Sequence, residues 1–365
     1  MGAYMKAAVM RAIGEPLRIE ELRIDRPGPR EVLVRTAAAG VCHSDLHILE
    51  GSLPQPLPTV LGHEPAGVVD AVGNEVRHVA PGDHVIGCLS AFCGTCEYCV
   101  AGRPYLCEGA ATMRRAHDPP RLAKDGEAIA QFAHLSAFAE RMLVHENALV
   151  RIRPDVPLDR AALIGCGVTT GLGAVFNTAR VRAGRTVAVI GCGGVGLSVV
   201  QGARIAGAGR IVAVDTQAWK LDLAARLGAT DVVNAAEGNP VPRVAEMTAG
   251  GVDYAFEAIG LPPTVRQAVR MTRKGGTMVM IGVVPASTSV DLPGADIVLR
   301  GKTILGCTMG SNRFRTDMPR YLELYRRGLL RLDEMISARL PLEGVNEAFE
   351  ALRQGTAARS VIVFA

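Results

Sequence analysis

The pattern of apolar and polar positions changes texture near Pro157. Before that point, Met5–Met10, Leu17–Leu22 and Val32–Ala38 alternate or run apolar, and Glu64–Val72 and His84–Cys88 continue the pattern. Pro27-Gly28-Pro29 and Gly73-Asn74 punctuate these runs, as expected of short strands joined by turns. Residues 109–130 are polar, with Pro119-Pro120 and Lys124-Asp125-Gly126, and are expected to form a surface loop; Leu135–Leu149 reads as strand again. Beyond Pro157, Leu158–Ile164 and Thr169–Thr178 read as helix. From Thr186 strands and helices alternate. Thr186–Ile190, Ile211–Asp215, Asp231–Asn234, Val252–Ala258 and Thr277–Val283 are predicted strands, separated by helices at Gly194–Gly207, Trp219–Leu227, Pro242–Thr248 and Pro263–Met271. Such alternation builds a parallel sheet with helices on both faces. Helices at Arg315–Gly328 and Leu342–Arg353 and a last strand, Ser360–Phe364, are expected to return to the β-rich front portion. The predicted class is α/β, with a β-rich domain over residues 1–160 completed by 308–365. A doubly wound parallel sheet is expected over 161–307.

Composition narrows the function classes. A chain of 365 residues holds roughly two domains with cores of their own. The net charge of +4 is spread without a run of basic residues, so neither nucleic acid nor membrane is an expected partner. No apolar run approaches the ~18 residues of a membrane span, and Met1-Gly2-Ala3-Tyr4-Met5-Lys6 does not read as a signal peptide. A cytoplasmic protein is expected. There, nine cysteines in clusters argue for metal binding or catalysis rather than disulfides.

The cysteine clusters are specific. Cys93-x2-Cys96-x2-Cys99-x7-Cys107 places four thiols on a short Gly-containing loop. Four thiolates with no position left for water describe a structural zinc site. The rival by ligand type, an iron–sulfur cluster, is disfavoured because no proline follows the fourth cysteine and no second set is present. A second set is dispersed: Cys42, His63 in Gly62-His63-Glu64, and Cys166 in Gly165-Cys166-Gly167. A lone Cys between glycines is more often a packing residue. Taken together, the three suit a catalytic zinc, which needs three protein ligands and one open position. Cys166 also lies where the β-rich part passes into the alternating part, the expected place for a substrate cleft. Asp45 and Glu64 are candidate carboxylates behind the ligands. The third motif is Gly191-Cys192-Gly193-Gly194-Val195-Gly196, set between a predicted strand and helix, with Asp215 ending the next strand. That context marks a dinucleotide fingerprint, with the pyrophosphate at the helix N-terminus. Asp215, followed by Thr216-Gln217 and no Arg, favours NAD over NADP; Lys220 is a second candidate for the ribose.

In this order along essentially the whole chain, these motifs resemble the zinc-dependent medium-chain alcohol dehydrogenases. The resemblance implies a GroES-like catalytic domain and a Rossmann domain. It implies catalytic zinc on Cys42, His63 and Cys166, and structural zinc on Cys93, Cys96, Cys99 and Cys107. It further implies proton relay by Ser44 and His47, cofactor contacts from His43 and Arg359 to the pyrophosphate, and Thr170 against the nicotinamide. Leu53, Leu89, Thr112, Phe132 and Val284 would line a mostly apolar slot suited to a primary aliphatic or aromatic alcohol. A homodimer or homotetramer acting on a small alcohol or aldehyde is the implied assembly. Two rival readings remain. One is a formaldehyde dehydrogenase of the same fold acting on a thiol adduct. The glutathione-dependent branch of the family has an acid near Leu53 and an arginine near Ala111, and this chain has neither there. The other is a catalytically silent zinc- and NAD-binding protein, which would lack some of the ligand or relay residues present here.

Overall fold

The computed structural model describes residues 3–115 and 117–364. It divides into two compact units. One comprises the chain up to Cys166, Arg313–Arg327 and the chain from Leu332 on; the other comprises Gly167–Asn312 and Gly328–Arg331.

The first unit opens with β1 (Ala3–Met10), β2 (Arg18–Ile24), β3 (Glu31–Gly40), the helix α1 (His43–Leu49), β4 (Thr59–Val60), β5 (Glu64–Val72) and β6 (His84–Gly87). A short α2 (Glu97–Val100) follows, then β7 (Leu122–Lys124), β8 (Glu127–Gln131), β9 (Arg141–His145) and β10 (Leu149–Ile152). Strands β1, β2, β7, β8 and β4 close into a small barrel around Met5, Val9, Leu22, Ile24, Leu122 and Ile129. This corrects the expectation that 109–130 is all surface loop. Asp125 and Gly126, at φ 49° and 88°, turn β7 into β8, and the pair completes the barrel. Only Leu122 and Ile129 carry strong inward apolar character there, so the polar composition concealed two very short strands.

The chain passes between units along a helical run, Leu158–Ala179. It comprises α3 (Leu158–Leu163), a π turn at Ile164–Val168, α4 (Thr169–Gly173) and a second π turn at Ala174–Ala179. This run is long and apolar enough to cross a membrane, against the expectation that none is. However, 83% of its apolar window is buried inside the protein, as in a core helix. The second unit then alternates β11 (Thr186–Ile190), α5 (Gly194–Ile205), β12 (Arg210–Asp215), α6 (Ala218–Leu227), β13 (Asp231–Asn234), α7 (Pro240–Met247), β14 (Val252–Glu257), α8 (Pro262–Met271), β15 (Thr272–Met280), α9 (Gly294–Leu299) and β16 (Thr303–Gly306). The six strands are parallel in the order β13-β12-β11-β14-β15-β16. The order reverses between β11 and β14, and that reversal leaves a crevice at the carboxyl end of β11, the ligand position in doubly wound sheets.

The last segment returns to the first unit with α10 (Phe314–Arg326), β17 (Ile336–Leu340), α11 (Val345–Arg353) and β18 (Arg359–Val363). The second sheet of that unit runs β10-β6-β5-β3-β18-β17, with β9 also paired to β3. The final strand is therefore an interior strand, antiparallel to β3 and parallel to β17.

Candidate metal centres and dinucleotide crevice

The first centre begins where β3 ends. Cys42 is the N-cap of α1, and Asp45 sits at the third helical position. A carboxylate there meets unpaired N–H groups and the positive end of the helix. Asp45 is wholly buried, and it accepts from the Cys42 N–H at 3.3 Å, the Gly62 N–H at 2.9 Å and His63 Nδ1 at 3.1 Å. The imidazole is thereby oriented with Nε2 inward. That nitrogen is buried and has no hydrogen-bond partner. Cys166 arrives from the first π turn. The ligand atoms of Cys42, His63, Glu64 and Cys166 all lie within 4.8 Å of one another.

The groups of this cluster strongly shift one another's titration. Hydrogen bonding to Cys166 drives the Cys42 thiol well down, and the charges of His63 and Arg359 add to it against burial. The Cys166 thiol is driven well up by the same sulfur–sulfur contact and by burial. Burial also opposes charge on His63, but Asp45 and Cys42 hold its proton well above the usual range. Burial pushes the Glu64 carboxyl up to about 7 while the Arg359 charge opposes it. Two sulfurs and an orphaned imidazole nitrogen converging on one point fit the donor set of a catalytic zinc. Glu64, expected only behind the ligands, is close enough to serve as a fourth. It is also hydrogen-bonded to Arg359. The resemblance assigns Arg359 to a pyrophosphate, whereas the structure shows it 4% exposed and turned onto Glu64. The adjacency of Glu64 to His63 was the only sequence signal for this pair; nothing in the sequence linked it to Arg359.

The hydroxyl of Ser44 stands 3.9 Å from Cys42 Sγ, beside the ligand sulfur. On the same short helix, His47 is half-exposed and His43 exposed, with ring centroids 6.5 Å apart. Ser44 and His47 are three residues apart and share a helix face, so a group that can take a proton at the metal is followed by one near solvent.

The second centre is the four-cysteine loop. Cys93, Cys96, Cys99 and Cys107 bring their sulfurs within the same 4.8 Å limit, all half-exposed. Backbone N–H groups already point at the sulfurs: Thr95 and Cys96 donate to Cys93, and Cys93 and Gly109 donate to Cys107. The Thr95 and Cys96 bonds lower the Cys93 thiol to about 6. Burial and the neighbouring sulfurs push the Cys99 thiol up to about 12. Four cysteine ligands on one metal would leave no position for substrate.

In the second unit, β11 runs into Gly191 at φ 92° and then into α5. A Cβ on Gly196 would lie 1.7 Å from the Gly191 carbonyl, so the helix approaches the turn only because residue 196 is glycine. A Cβ on Gly193 would meet no protein atom within 4 Å, leaving open space at the helix N-terminus, as a phosphate cradle requires. Gly194 and Val195 open α5 itself. Asp215 accepts from the Cys192 N–H at 2.7 Å and the Gln217 N–H at 3.0 Å, so it ties the glycine turn to the end of β12. Lys220 is half-exposed, its ammonium 5.6 Å from the Trp219 ring centre. The Thr170 hydroxyl donates to Met309 Sδ at 3.5 Å. Of the expected slot residues, Leu53, Leu89 and Phe132 are half-buried against the core of the first unit, and Val284 packs on that of the second. Phe132 stands edge-on to His63, with ring centroids 5.4 Å apart.

A β-barrel unit with two cysteine-based metal centres and a doubly wound unit with a glycine cradle define a zinc-binding dehydrogenase fold. Comparison with known proteins agrees. Residues 28–154 match the alcohol dehydrogenase GroES-like domain, and 194–326 match the zinc-binding dehydrogenase domain. The chain is 41% identical to the putative alcohol dehydrogenase D of Mycobacterium tuberculosis (strain ATCC 25618 / H37Rv), covering 98% of this chain and 99% of that one. It is 40% identical to the S-(hydroxymethyl)glutathione dehydrogenase of Saccharomyces cerevisiae, covering 98% and 95%. The crystal structure of benzyl alcohol dehydrogenase from Acinetobacter calcoaceticus superposes with TM-score 0.94 at 33% identity over 100% of both chains. The chain belongs to the zinc-dependent medium-chain alcohol dehydrogenases.

The glycine before His63 tests how tightly the first centre is built. Gly62 has φ 90°, and a Cβ there would lie 2.7 Å from the Phe138 backbone nitrogen. Gly62→Ala is expected to destabilise the first unit by at least about 2 kcal/mol, read as a lower midpoint in chemical denaturation. An unchanged midpoint would mean that the Asp45–Gly62 contact tolerates movement.

Proposed function

We propose that the protein is an NAD-dependent alcohol dehydrogenase that interconverts a primary alcohol and its aldehyde, with one catalytic and one structural zinc per chain. The orphaned Nε2 of His63, facing two cysteine sulfurs, carries this reading. Cys42, His63 and Cys166 would hold the catalytic metal, and Cys93, Cys96, Cys99 and Cys107 the structural one. The bound groups supply Lewis acidity toward the alcohol oxygen and a hydride acceptor. The chain's residues do the rest. Asp45 fixes the tautomer and direction of His63. Ser44 accepts the alcohol proton and His47 passes it toward water. Glu64 and Arg359 set the charge behind the ligands. Gly191, Gly193, Gly194, Val195 and Gly196 cradle the pyrophosphate, with His43 as its basic contact. Asp215 and Lys220 take the adenosine ribose, and Thr170 packs on the nicotinamide.

This reading is tested by metal analysis together with a rate panel. Native protein should carry about two zinc per chain, and Cys42→Ala about one. The same variant should lose at least about a thousandfold in kcat, on the order of 4 kcal/mol. Retained turnover in Cys42→Ala would refute the catalytic site. The panel should cover primary alcohols and aldehydes with and without a low-molecular-weight thiol. A requirement for the thiol would favour the second reading, a thiol-adduct formaldehyde dehydrogenase, which the relationship to S-(hydroxymethyl)glutathione dehydrogenases keeps open. Against that reading, Leu53 and Ala111 stand where the glutathione-dependent branch has an acid and an arginine. Arg114, the nearest arginine after Ala111, is bonded to Glu31 and Asp25.

Coenzyme choice rests on Asp215, whose carboxylate would repel a 2′-phosphate. Asp215→Gly is expected to shift the ratio of kcat/KM for NAD over NADP by about tenfold or more toward NADP. An unchanged ratio would mean that the acid serves only the Cys192 and Gln217 N–H groups.

A homodimer or homotetramer in the cytoplasm completes the proposal. None of the nine cysteines is paired in a disulfide, in keeping with a reducing compartment. β16 is an edge strand with Ile304 exposed, and Val298 and Leu299 of α9 are 77% and 79% exposed nearby in sequence. An apolar edge strand pairs readily with a second copy. Sedimentation velocity should give a dimer or larger, and Ile304→Lys should shift it toward monomer; a monomeric native protein would remove this part of the proposal.

A further inference from the structure

Two arginines of the polar 109–121 segment turn inward onto one carboxylate. Glu31, the first residue of β3, is 5% exposed. Its Oε1 accepts from Arg121 Nε at 2.7 Å and from Arg114 Nε at 3.0 Å. Its Oε2 accepts from Arg114 Nη2 at 2.6 Å and from the Gly28 N–H at 2.8 Å. Burial pushes this carboxyl up, but the two guanidiniums outweigh it and hold the group down at about 2. Arg121 is buried as well, and its remaining nitrogens reach two further points. Nη2 donates to the Thr112 carbonyl at 3.0 Å and Nη1 to Gln131 Oε1 at 3.2 Å. The Gln131 amide donates on to the Leu143 carbonyl at 3.2 Å.

Gln131 ends β8, and the residue after it is Phe132, whose ring stands at 90° to that of His63. The backbone beyond is strained. Ala133, His134 and Ser136 have φ of 53°, 59° and 60°, in the left-handed region that side chains disfavour. Such conformations cost about 1–3 kcal/mol each and persist only where the surroundings fix them. Gln131 is held by the pairing of its backbone with Val60 of β4 and, through its side chain, by Arg121, which Glu31 fixes in turn. Phe132 is half-buried, and Leu53 and Leu89 pack against the same core. An aromatic edge beside a metal ligand offers an apolar wall to whatever carbon chain is attached to a metal-bound oxygen.

We propose that Glu31, Arg121 and Gln131 are positioning residues of the alcohol site. Acting through Phe132, they fix the wall that meets the hydrocarbon body of the substrate and so set how a bulky or aromatic primary alcohol is bound relative to a small one. This rests on the alcohol dehydrogenase reading above. The chain Glu31–Arg121–Gln131–Phe132 sets where the ring stands, and a displaced ring changes the fit of a large alcohol while leaving ethanol nearly untouched.

The test compares benzyl alcohol with ethanol in native protein, Gln131→Leu and Gln131→Glu. Gln131→Leu cuts the side-chain links to Arg121 and to the Leu143 carbonyl but leaves the Glu31–Arg121 pair and the β4–β8 pairing, so the fold should survive. Its KM for benzyl alcohol should rise about tenfold, with kcat within about threefold and ethanol kcat/KM within about twofold of native. Gln131→Glu keeps an acceptor for Arg121 but loses the donor to the Leu143 carbonyl, and should restore part of the native preference. Calorimetric binding of pentafluorobenzyl alcohol, a poor hydride donor, in the presence of NAD should weaken in parallel with the benzyl alcohol KM. Zinc content should equal native in both variants. Equal losses for both alcohols, no change for either, or loss of zinc in Gln131→Leu would each overturn the proposal. Failure of the native protein to oxidise any alcohol would instead overturn the function on which it rests.

Discussion

One carboxylate organises the chemical centre of this protein. Asp45 has no access to water, and its oxygens bind two backbone N–H groups and an imidazole drawn from two segments of chain. Those bonds join the start of α1 to the turn that begins β5. The pairing of Gly40 with Glu64 across β3 and β5 brings Cys42 and His63 near each other, and the bonds of Asp45 set the direction in which they meet. The fold supplies the position for Asp45 through two ordinary devices. A helix N-terminus attracts an acid at its third residue, and Gly62 adopts a φ that brings its N–H to the same acid. The directional part of the candidate metal site thus depends on a residue that would not touch the metal, in keeping with the role of residues behind the ligands in metal sites generally.

The centre is also dense in charge. Within a few ångströms lie two thiols, an imidazole, two carboxyls and a guanidinium, nearly all sealed from solvent. A buried acid–base pair such as Glu64 and Arg359 gives little net stability, since desolvation offsets the attraction. Its effect is on the groups around it. Arg359 favours the thiolate form of Cys42 and opposes the rise of the Glu64 carboxyl. The four-cysteine loop uses a different source of charge. There the sulfurs are half-exposed, and backbone N–H groups carry the stabilisation.

Much of this was legible in the sequence, for reasons that differ by element. The central strand β11 is almost wholly buried, so Thr186–Ile190 appears as an apolar run with turn residues beyond it, and the two valines of the edge strand Asp231–Asn234 sufficed to mark it; the limits of both agree with the structure. The cysteine and glycine motifs were legible because short-range spacing fixes their geometry. The hairpin β7–β8 was not, since its strands of three and five residues show only one strongly inward apolar residue each. Nor was α1 expected as a helix, because its sequence is dominated by His43, Ser44, Asp45 and His47, residues that advertise chemistry rather than helical periodicity. The partnership of Glu64 with Arg359, and that of Glu31 with Arg114 and Arg121, join residues far apart in the chain. No local pattern announces such pairs.

The place of β18 bears on how the protein is made. The last strand inserts between β3 and β17, and its first residue supplies the guanidinium that meets Glu64, 295 residues earlier. The parallel-sheet unit, whose strands and helices all precede β18 in the chain, can fold before that strand is available. Until β18 pairs, β3 exposes an unpaired edge and Glu64 lacks its guanidinium partner. The first unit therefore closes late, with part of its chemical centre supplied from 295 residues away.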